Sequence, residues 1–176
     1  MTDDIIRTDR LFLRPLAHSD IARLIALASN EHVAPMMSSI TLPWPHNAVK
    51  DWIDRAQWRN GPSGRLGVCL LDGTLIGSVG VSPGDAICGY WLGRDYWGQG
   101  YATEAMGAII DHLVDQHGLT HFEADHFSDN PNSAKVLLKL GFKPTGNTSL
   151  GQSAARTEPS TCVEYVLNRA PNPQQA

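Results

Sequence analysis

The chain has 176 residues, 42% of them hydrophobic and 18% charged, and a formal net charge of −4. A chain of this length buries roughly 70% of its unfolded surface, enough for one domain with one substantial core. Lysine and arginine form no run or stripe, so nucleic acid is not an expected partner, and no apolar run approaches the ~20 residues of a membrane helix. The acidic start lacks a signal-peptide core. We therefore expect a cytoplasmic protein with no membrane partner, one domain over residues 1–170 and a flexible tail over 171–176.

The first half of the chain predicts a strand, two helices, a hairpin and a further strand. Ser19 or Asp20 suits the N-cap of the first helix, and Asp72-Gly73 between two apolar runs is a strong hairpin signal. In chain order these elements span residues 9–15, a helix from about 20, a helix after Pro45, hairpin strands over 66–71 and 75–81, and a strand over 87–92.

The second half predicts two helices that alternate with strands. A long helix begins near Ala102 and ends at Gly118, and Asn130-Pro131 begins another helix that Gly141 ends. Strands are predicted over 121–127, 142–145 and 161–167. The order β-α-α-β-β-β-α-β-α-β-β predicts a mixed α+β fold around one sheet.

Residues Trp91 to Thr103 carry the clearest functional motif. An apolar strand leads into a turn with Gly98 and Gly100, and a helix begins at once. Such a turn leaves backbone N–H groups without partners at the positive end of the helix dipole, and glycine lets the backbone approach an anion closely. Thr103 can add a hydroxyl. The motif therefore predicts a site for a phosphate or pyrophosphate.

This turn alone does not identify the ligand. A Walker A loop is absent, and the dinucleotide motif needs Gly or Ala where this chain has Thr103. An ordinary glycine turn before a core helix stays an alternative. A second motif follows downstream, Asn130-Pro131-Asn132-Ser133 leading to Lys139-Leu140-Gly141-Phe142. The occurrence of both motifs in this order restricts the phosphate-containing ligand more than the turn alone does.

Together these motifs resemble those of the GNAT superfamily of N-acetyltransferases, and its RimJ/RimL-type branch of ribosomal-protein N-terminal acetyltransferases in particular. The pattern Trp97-x-x-Gly100-x-Ala102 resembles the superfamily's pyrophosphate motif, and tryptophan in its first place is typical of the branch. The motif from Asn130 to Phe142 resembles the second motif of the superfamily. Residues Thr8 to Pro15 also resemble the first strand of the branch. The resemblance covers residues 5–168.

The resemblance implies the α+β GNAT fold, with a single mixed, mostly antiparallel sheet of about seven strands, splayed between strands 4 and 5 and flanked by about four helices. It implies that acetyl-CoA binds in the splay as a co-substrate, with its pyrophosphate on the glycine turn and its pantetheine arm along the fourth strand. The residues that it assigns to acetyl-CoA are Trp91, Leu92, Trp97, Gly98, Gln99, Gly100, Tyr101, Ala102, Thr103, Asn130 and Ser133.

The implied activity is direct attack of a primary amine on the thioester of acetyl-CoA in a ternary complex. Many superfamily members have a tyrosine acid where this chain has Leu137, and in the RimJ/RimL branch a serine takes its part, which here is Ser133. Local helix capping by Ser133 is the alternative. His126 and Glu104 are candidates for the catalytic base, although a lone strand histidine is more often packed or solvated and Glu104 could be structural.

The acceptor stays open at the level of sequence. A peptide N-terminal α-amine is favoured, because its pKa near 8 leaves it partly neutral at pH 7. A small-molecule amine such as an aminoglycoside, a polyamine or an amino acid is one alternative, and a non-catalytic acyl-CoA-binding regulatory module is another. The loops over 31–46 and 146–160 are expected to face the acceptor. Glu31 could bind the amine, and Trp44 could line the acceptor cleft or pack in the core, whereas Trp52 fits the helix stripe and is expected in the core. Glu123 and Asp125 share one face of the fifth strand and are further candidates for the base.

No metal is expected, and a homodimer stays open. His117 and His121 have Gly118 between them, which ends the helix, and no third ligand follows at a recognisable spacing.

Overall fold

The computed structural model describes residues 5–59 and 61–170, so the tail predicted over 171–176 lies outside the described residues. Within them the chain forms eight strands and four α-helices. The strands are β1 (Ile6–Arg7), β2 (Leu11–Pro15), β3 (Gly64–Leu70), β4 (Leu75–Val81), β5 (Cys88–Leu92), β6 (His121–Phe127), β7 (Lys143–Gly151) and β8 (Ser160–Asn168). The helices are α1 (Ile21–Ala28), α2 (His46–Arg55), α3 (Tyr101–His117) and α4 (Pro131–Lys139).

The strands form two antiparallel ladders that meet at a single point. The first ladder has the order β1-β2-β3-β4-β5, and the second has the order β6-β8-β7. Among the described residues, one parallel bridge joins the ladders, between Glu123 of β6 and Ile87, which directly precedes β5, and the Glu123 N–H donates to the Ala86 carbonyl at 3.3 Å. Beyond that bridge the strands separate. This confirms the predicted splay, which falls between β5 and β6 because the short strand β1 precedes the first predicted strand. The expected single sheet is in detail two ladders joined at one end of the splay.

Helices cover both faces of the sheet. On one face, α3 packs on the first ladder through a stripe of side chains with no exposed surface, Met106, Ile109, Ile110 and Leu113. Leu137 of α4 joins the same core cluster. On the other face, α1 and α2 pack in a second cluster that includes Trp91 of β5. Burial of each large aliphatic side chain contributes roughly 1.5–3 kcal/mol, so the stripe on α3 contributes strongly to the main core cluster.

The local signals in the sequence predict most element boundaries. The Asp72-Gly73 turn joins β3 to β4, and Gly118 ends α3 in the left-handed conformation with a φ of 66°. Asn130 caps α4 as expected, since its side chain accepts from the Ser133 N–H at 3.2 Å. Strand β6 has the predicted bounds. None of the helices in residues 5–59 and 61–170 is long and apolar enough to cross a membrane.

Asp20 is the N-cap residue of the first helix, as predicted. The Asp20 side chain makes no cap hydrogen bond to α1. Its carboxylate instead accepts from both terminal nitrogens of Arg14, each at 2.8 Å, and from the Ala17 N–H at 2.9 Å. A bidentate guanidinium pair is a stronger partner for a carboxylate than one backbone N–H, so Asp20 ties α1 to the end of β2.

The expectation of a loop over 146–160 is wrong in its first part. Strand β7 continues to Gly151 after an irregularity between Pro144 and Thr148, and it pairs with β8 throughout the second segment, up to the pair Gly151–Ser160. The side chains of β7 are exposed almost along its whole length. A strand without a buried face has no alternating apolar pattern, and the sequence therefore gave no period-two signal.

Candidate active site

A cleft of about 440 Å³ opens where β5 and β6 separate. It is bounded by the end of β5, the glycine turn before α3 and the first turns of α4. Every residue that was predicted to bind the acyl donor lines this cleft except Gln99, and of the predicted catalytic residues only Ser133 does. The fold therefore brings the two sequence motifs together across one opening.

The glycine turn has the conformation that an anion site requires. Gly98 and Gly100 have φ values of 75° and 83°, in the left-handed region that favours glycine. Gly100 is the N-cap of α3, and none of the described side chains caps this end of the helix. The first N–H groups of an α-helix have no partner within the helix, so those of Tyr101 and Ala102 are available at the positive end of the dipole.

Arg10 shapes this turn from outside, a role that the sequence did not reveal. Its Nη1 donates to the Gln99 carbonyl at 3.0 Å, and its guanidinium lies 4.6 Å from the centre of the Tyr101 ring. The side chain of Gln99 points away and donates to the Asp95 carbonyl at 3.0 Å. Arg10 thus orders the turn and adds a positive charge behind it.

Glu104 does not serve the cleft. Its carboxylate accepts from the Thr8 hydroxyl at 2.6 Å, from the Arg10 N–H at 3.0 Å and from Arg10 Nε at 2.7 Å. Burial alone would raise the pKa of Glu104, but the bonds from Thr8 and Arg10 outweigh it and hold the pKa below its ordinary value. A carboxylate with this many donors is a poor base. We therefore withdraw Glu104 as a candidate base.

Two tryptophans fix the end of β5. Trp97 donates from its indole N–H to the Leu92 carbonyl at 2.7 Å, which ties the turn to the strand. Trp91 is buried against Trp44 and Trp52, with ring centres 6.3 and 6.4 Å away. Trp44 and Trp52 are 2% and 5% exposed and do not line the cleft, so both belong to the core.

Ser133 meets a partner that the sequence did not suggest. The Tyr90 hydroxyl lies 2.7 Å from Ser133 Oγ and 3.2 Å from the Ser133 carbonyl. Both residues line the cleft. Burial raises the pKa of Tyr90, and the hydrogen bond with Ser133 offsets only part of that rise. The one available signal was the alternation of β5, which directs Tyr90 to the face opposite Trp91.

His126 lies in the core and not at the cleft. It is 8% exposed, its Nδ1 is 2.8 Å from the Phe127 carbonyl, and its Nε2 is 3.3 Å from the Tyr165 hydroxyl. Both ring nitrogens thus have partners, and the ring packs on Tyr165 with centres 5.4 Å apart. We therefore withdraw His126 as a candidate base too.

The other acidic candidates also lie elsewhere. The Glu31 side chain is 82% exposed in its loop, and Glu123 lies 3.4 Å from His121 at the surface of the sheet. Burial and the neighbouring Glu164 raise the pKa of Asp125, which also does not line the cleft. Among the described residues that line the cleft there is no Asp, Glu or His.

The wall opposite α4 is apolar and is held by one arginine. Val33, Met36 and Met37, from the loop between α1 and α2, line the cleft. Arg156 donates to the Pro35 carbonyl at 2.7 Å and to both carboxylate oxygens of Asp129 at 2.8 and 2.9 Å. One guanidinium therefore fixes the apolar loop relative to the turn just before Asn130.

The remaining charges at the cleft are positive. Arg94, Lys135 and Lys139 line it. In the part of the chain that the structure describes, no group of three or more His, Cys, Asp or Glu side chains could hold a metal ion. The cleft thus combines free N–H groups, three cations and an apolar wall, which suits a long ligand with phosphates at one end.

Comparisons with known proteins agree with this geometry. A profile described as "Acetyltransferase (GNAT) domain" matches residues 10–143. The chain is 30% identical over 154 residues to "Uncharacterized N-acetyltransferase p20" of Bacillus licheniformis, with 81% of this chain and 84% of that protein covered.

Two solved structures share the fold. Mycobacterium smegmatis RimJ in complex with CoA-disulfide superposes with a TM-score of 0.74 at 22% identity, over 90% of this chain and 81% of that one. The ribosomal L7/L12 alpha-N-protein acetyltransferase RimL in complex with coenzyme A superposes with a TM-score of 0.80 at 15% identity, over 96% and 100% of the two chains.

Proposed function

The chain belongs to the GNAT family of acetyltransferases, and from that premise we propose that it transfers an acetyl group from acetyl-CoA to the α-amine of a peptide or protein N terminus. One observation supports the proposal above others. The uncapped start of α3 and the residues Asn130 and Ser133 face the same cleft at the splay of the sheet. An anion site next to a hydroxyl donor is what an acyl-CoA thioester needs.

The residues present fit acetyl-CoA as the co-substrate. The N–H groups that follow Gly100 would hold the pyrophosphate, and Lys135 and Lys139 on α4 add positive charge along the same cleft. Asn130 would contact the pantetheine arm. Both solved relatives contain CoA or its disulfide, according to their descriptions.

Acetyl transfer requires mainly that the protein place the amine and the thioester correctly. The amine nitrogen forms a bond to the acetyl carbon, the carbon–sulfur bond breaks, and its electron pair leaves on sulfur. Correct placement of two reactants supplies much of the rate of such a step. Ser133 lines the cleft, and we assign to it the hydrogen bond that stabilises the departing sulfur.

The lining of the cleft favours an α-amine acceptor. An α-amine with a pKa near 8 is partly neutral at pH 7, whereas a lysine side chain with a pKa near 10.4 needs a base. Neither Asp, Glu nor His is among the described lining residues, so no candidate base faces the cleft. The same lack of carboxylates disfavours polyamines and aminoglycosides, whose further ammonium groups need negative partners. Met36 and Met37 offer an apolar surface to the rest of the acceptor.

An acceptor panel tests the proposal. Purified protein with acetyl-CoA is assayed for CoA release with short peptides, the same peptides with blocked N termini, spermidine and an aminoglycoside. We expect turnover with the free peptides and none with the blocked ones. Faster turnover with spermidine or the aminoglycoside would assign a small-molecule acceptor instead. Tight acetyl-CoA binding without turnover on any amine would indicate a non-catalytic module.

A further inference from the structure

The hydroxyl groups of Tyr90 and Ser133 form a contact between two polar side chains at the cleft, at 2.7 Å. Tyr90 comes from β5 and Ser133 from the first turn of α4, so this contact crosses the splay. Both side chains are partly buried. Each hydroxyl has one proton to donate, and the use of those two protons decides what Ser133 can do.

The Ser133 side chain does not cap its own helix, which is what a serine in a first helical turn usually does. The Ser133 N–H is satisfied by the side chain of Asn130 at 3.2 Å, so the cap of α4 is an asparagine cap. Ser133 also presents its carbonyl to the Tyr90 hydroxyl at 3.2 Å, but its Oγ at 2.7 Å is the nearer acceptor for the single phenol proton. Its Oγ therefore has Tyr90 as the partner that the described contacts show.

Donation by Tyr90 leaves the Ser133 proton available. When the phenol donates to Ser133 Oγ, the serine proton has to point elsewhere, and the cleft that Ser133 lines is the open direction. With phenylalanine at position 90, Ser133 could turn its proton back toward a carbonyl of its own helix, as serine commonly does.

We propose that Tyr90 is a positioning residue for acetyl transfer, whose hydroxyl donates to Ser133 Oγ and directs the Ser133 proton toward the sulfur of the departing thiolate. This inference rests on the proposed function. Both hydroxyls keep their protons throughout: the proton that the amine loses goes to water, and a proton from water restores the thiol. Two hydrogen bonds in series, from Tyr90 to Ser133 and from Ser133 to sulfur, stabilise the charge that develops there.

The environment of the Tyr90 phenol supports its role as a hydrogen-bond donor that keeps its proton, and not a role as a general acid that gives the proton up. Burial raises the pKa of Tyr90, so the phenol stays protonated at neutral pH and a buried phenolate is unfavourable. A proton relay would have to create that phenolate. A donor that keeps its proton does not, so the Tyr90→Phe variant should retain the shape of the wild-type pH profile.

Three single variants, one double variant and one spectroscopic titration test the proposal. Tyr90→Phe should lower kcat by about tenfold, the value of one hydrogen bond, with little change in the acceptor KM. Ser133→Ala should lower kcat at least as much, and Tyr90→Phe/Ser133→Ala should match Ser133→Ala alone, because Tyr90 acts through Ser133. Tyr165→Phe is the matched control, since it removes a buried hydroxyl that does not line the cleft.

The titration measures the thiol of bound CoA by its thiolate absorbance and needs no turnover. Hydrogen bonding stabilises the thiolate, so Tyr90→Phe and Ser133→Ala should each raise the pKa of the bound thiol by about 1 relative to wild type, and Tyr165→Phe should not. Equal thiol pKa values in wild type and Tyr90→Phe, or losses of kcat that add in the double variant, overturn the inference.

The outcomes separate the inference from the proposed function. Wild-type turnover with an unaffected Tyr90→Phe variant removes Tyr90 and leaves the function intact. Absence of turnover on every amine removes the function, and the thiol titration still decides whether Tyr90 acts on Ser133. Failure of CoA to bind removes both. Equal kcat losses in Tyr90→Phe and Tyr165→Phe would mean general loosening of the core and also overturn the inference.

Discussion

The turn before α3 depends on the backbone conformation of individual glycines. Gly100 has a φ of 83°, where a side chain is strained by roughly 1–2 kcal/mol. Arg10 lies close by, 3.3 Å from the place where a Cβ on Gly100 would stand. A substitution here therefore disturbs both the free N–H groups and the arginine behind them.

Gly100→Val should weaken acetyl-CoA binding by about tenfold or more, because the turn must move to relieve its strain. Gly84→Val is the matched control: Gly84 has a φ of 82° and open space around it, and it does not line the cleft. Calorimetric titration with acetyl-CoA measures both. The same affinity in the two folded variants would show that the turn is not the anion site.

Glu104 offers a test of stability at the same scale. Glu104→Gln should lower the free energy of unfolding at pH 7 by about 1 kcal/mol, a modest amount because Arg10 is half exposed. The folded pKa of Glu104 lies below the ordinary value of 4.5, so its stabilisation is complete above pH 4.5 and is lost as pH falls through the folded value. The difference between the variant and wild type should therefore shrink in acid. Urea unfolding of both proteins at pH 7 and in acid measures this difference in free energy. A difference that does not change with pH would contradict the stabilising role of the ionised Glu104.

At the level of elements, the loop after β7 is bonded to the loop between α1 and α2. The Ser153 hydroxyl donates to the Ala34 carbonyl at 3.4 Å, and Arg156 joins Pro35 to Asp129. The loop after β7 thus holds the apolar wall of the cleft at a fixed distance from the start of α4. This connection is independent of the turn before α3.

Arg156→Ala should raise the acceptor KM by about tenfold and leave the affinity for acetyl-CoA within about twofold, because it releases the wall that carries Met36 and Met37. Arg156→Lys should restore only part of the effect, since lysine cannot form the bidentate pair with Asp129. Lys50→Ala, which breaks an exposed ion pair with Asp54 far along the chain, is the control. An acceptor KM unchanged in Arg156→Ala would show that this wall does not contact the acceptor.

At the scale of the whole molecule, the two ladders share one bridge among the described residues, and the proposed acetyl-CoA site lies where they part. A ligand that contacts both the start of α3 and the start of α4 should stabilise the complete fold. CoA at a hundred times its Kd adds about 2.7 kcal/mol, equivalent to a Tm rise of about 5–10 °C for a chain of this size. Pantetheine, which lacks the pyrophosphate, should give a much smaller rise at the same concentration. Equal Tm rises with CoA and with pantetheine would show that the binding energy does not come from the glycine turn.

Local signals in the sequence explain which parts of this molecule could be predicted. The Asp72-Gly73 hairpin, the asparagine cap at position 130 and the helix stop at Gly118 each depend on a few adjacent residues. The glycine turn and the second motif are equally local, and they predicted the cleft. The second part of strand β7 was not predicted because its side chains are exposed and carry no periodic pattern.

The missed features are pairs of residues that lie far apart in the chain. Tyr90 meets Ser133 across 43 residues, and Arg10 meets Glu104 across 94. No periodicity or cap signal links such positions, so the types of the residues were visible but their partners were not. For the same reason the sequence did not show that Glu104 pairs with Arg10 and that His126 contacts Tyr165.

The site of acetylation on a peptide tests the central claim most directly. A peptide with a free α-amine and an internal lysine is incubated with the protein and acetyl-CoA, and tandem mass spectrometry locates the added group. We predict acetylation of the α-amine alone, because no candidate base among the described residues lines the cleft to deprotonate a lysine. Acetylation of the lysine, or no acetylation while acetyl-CoA is bound, would contradict the account.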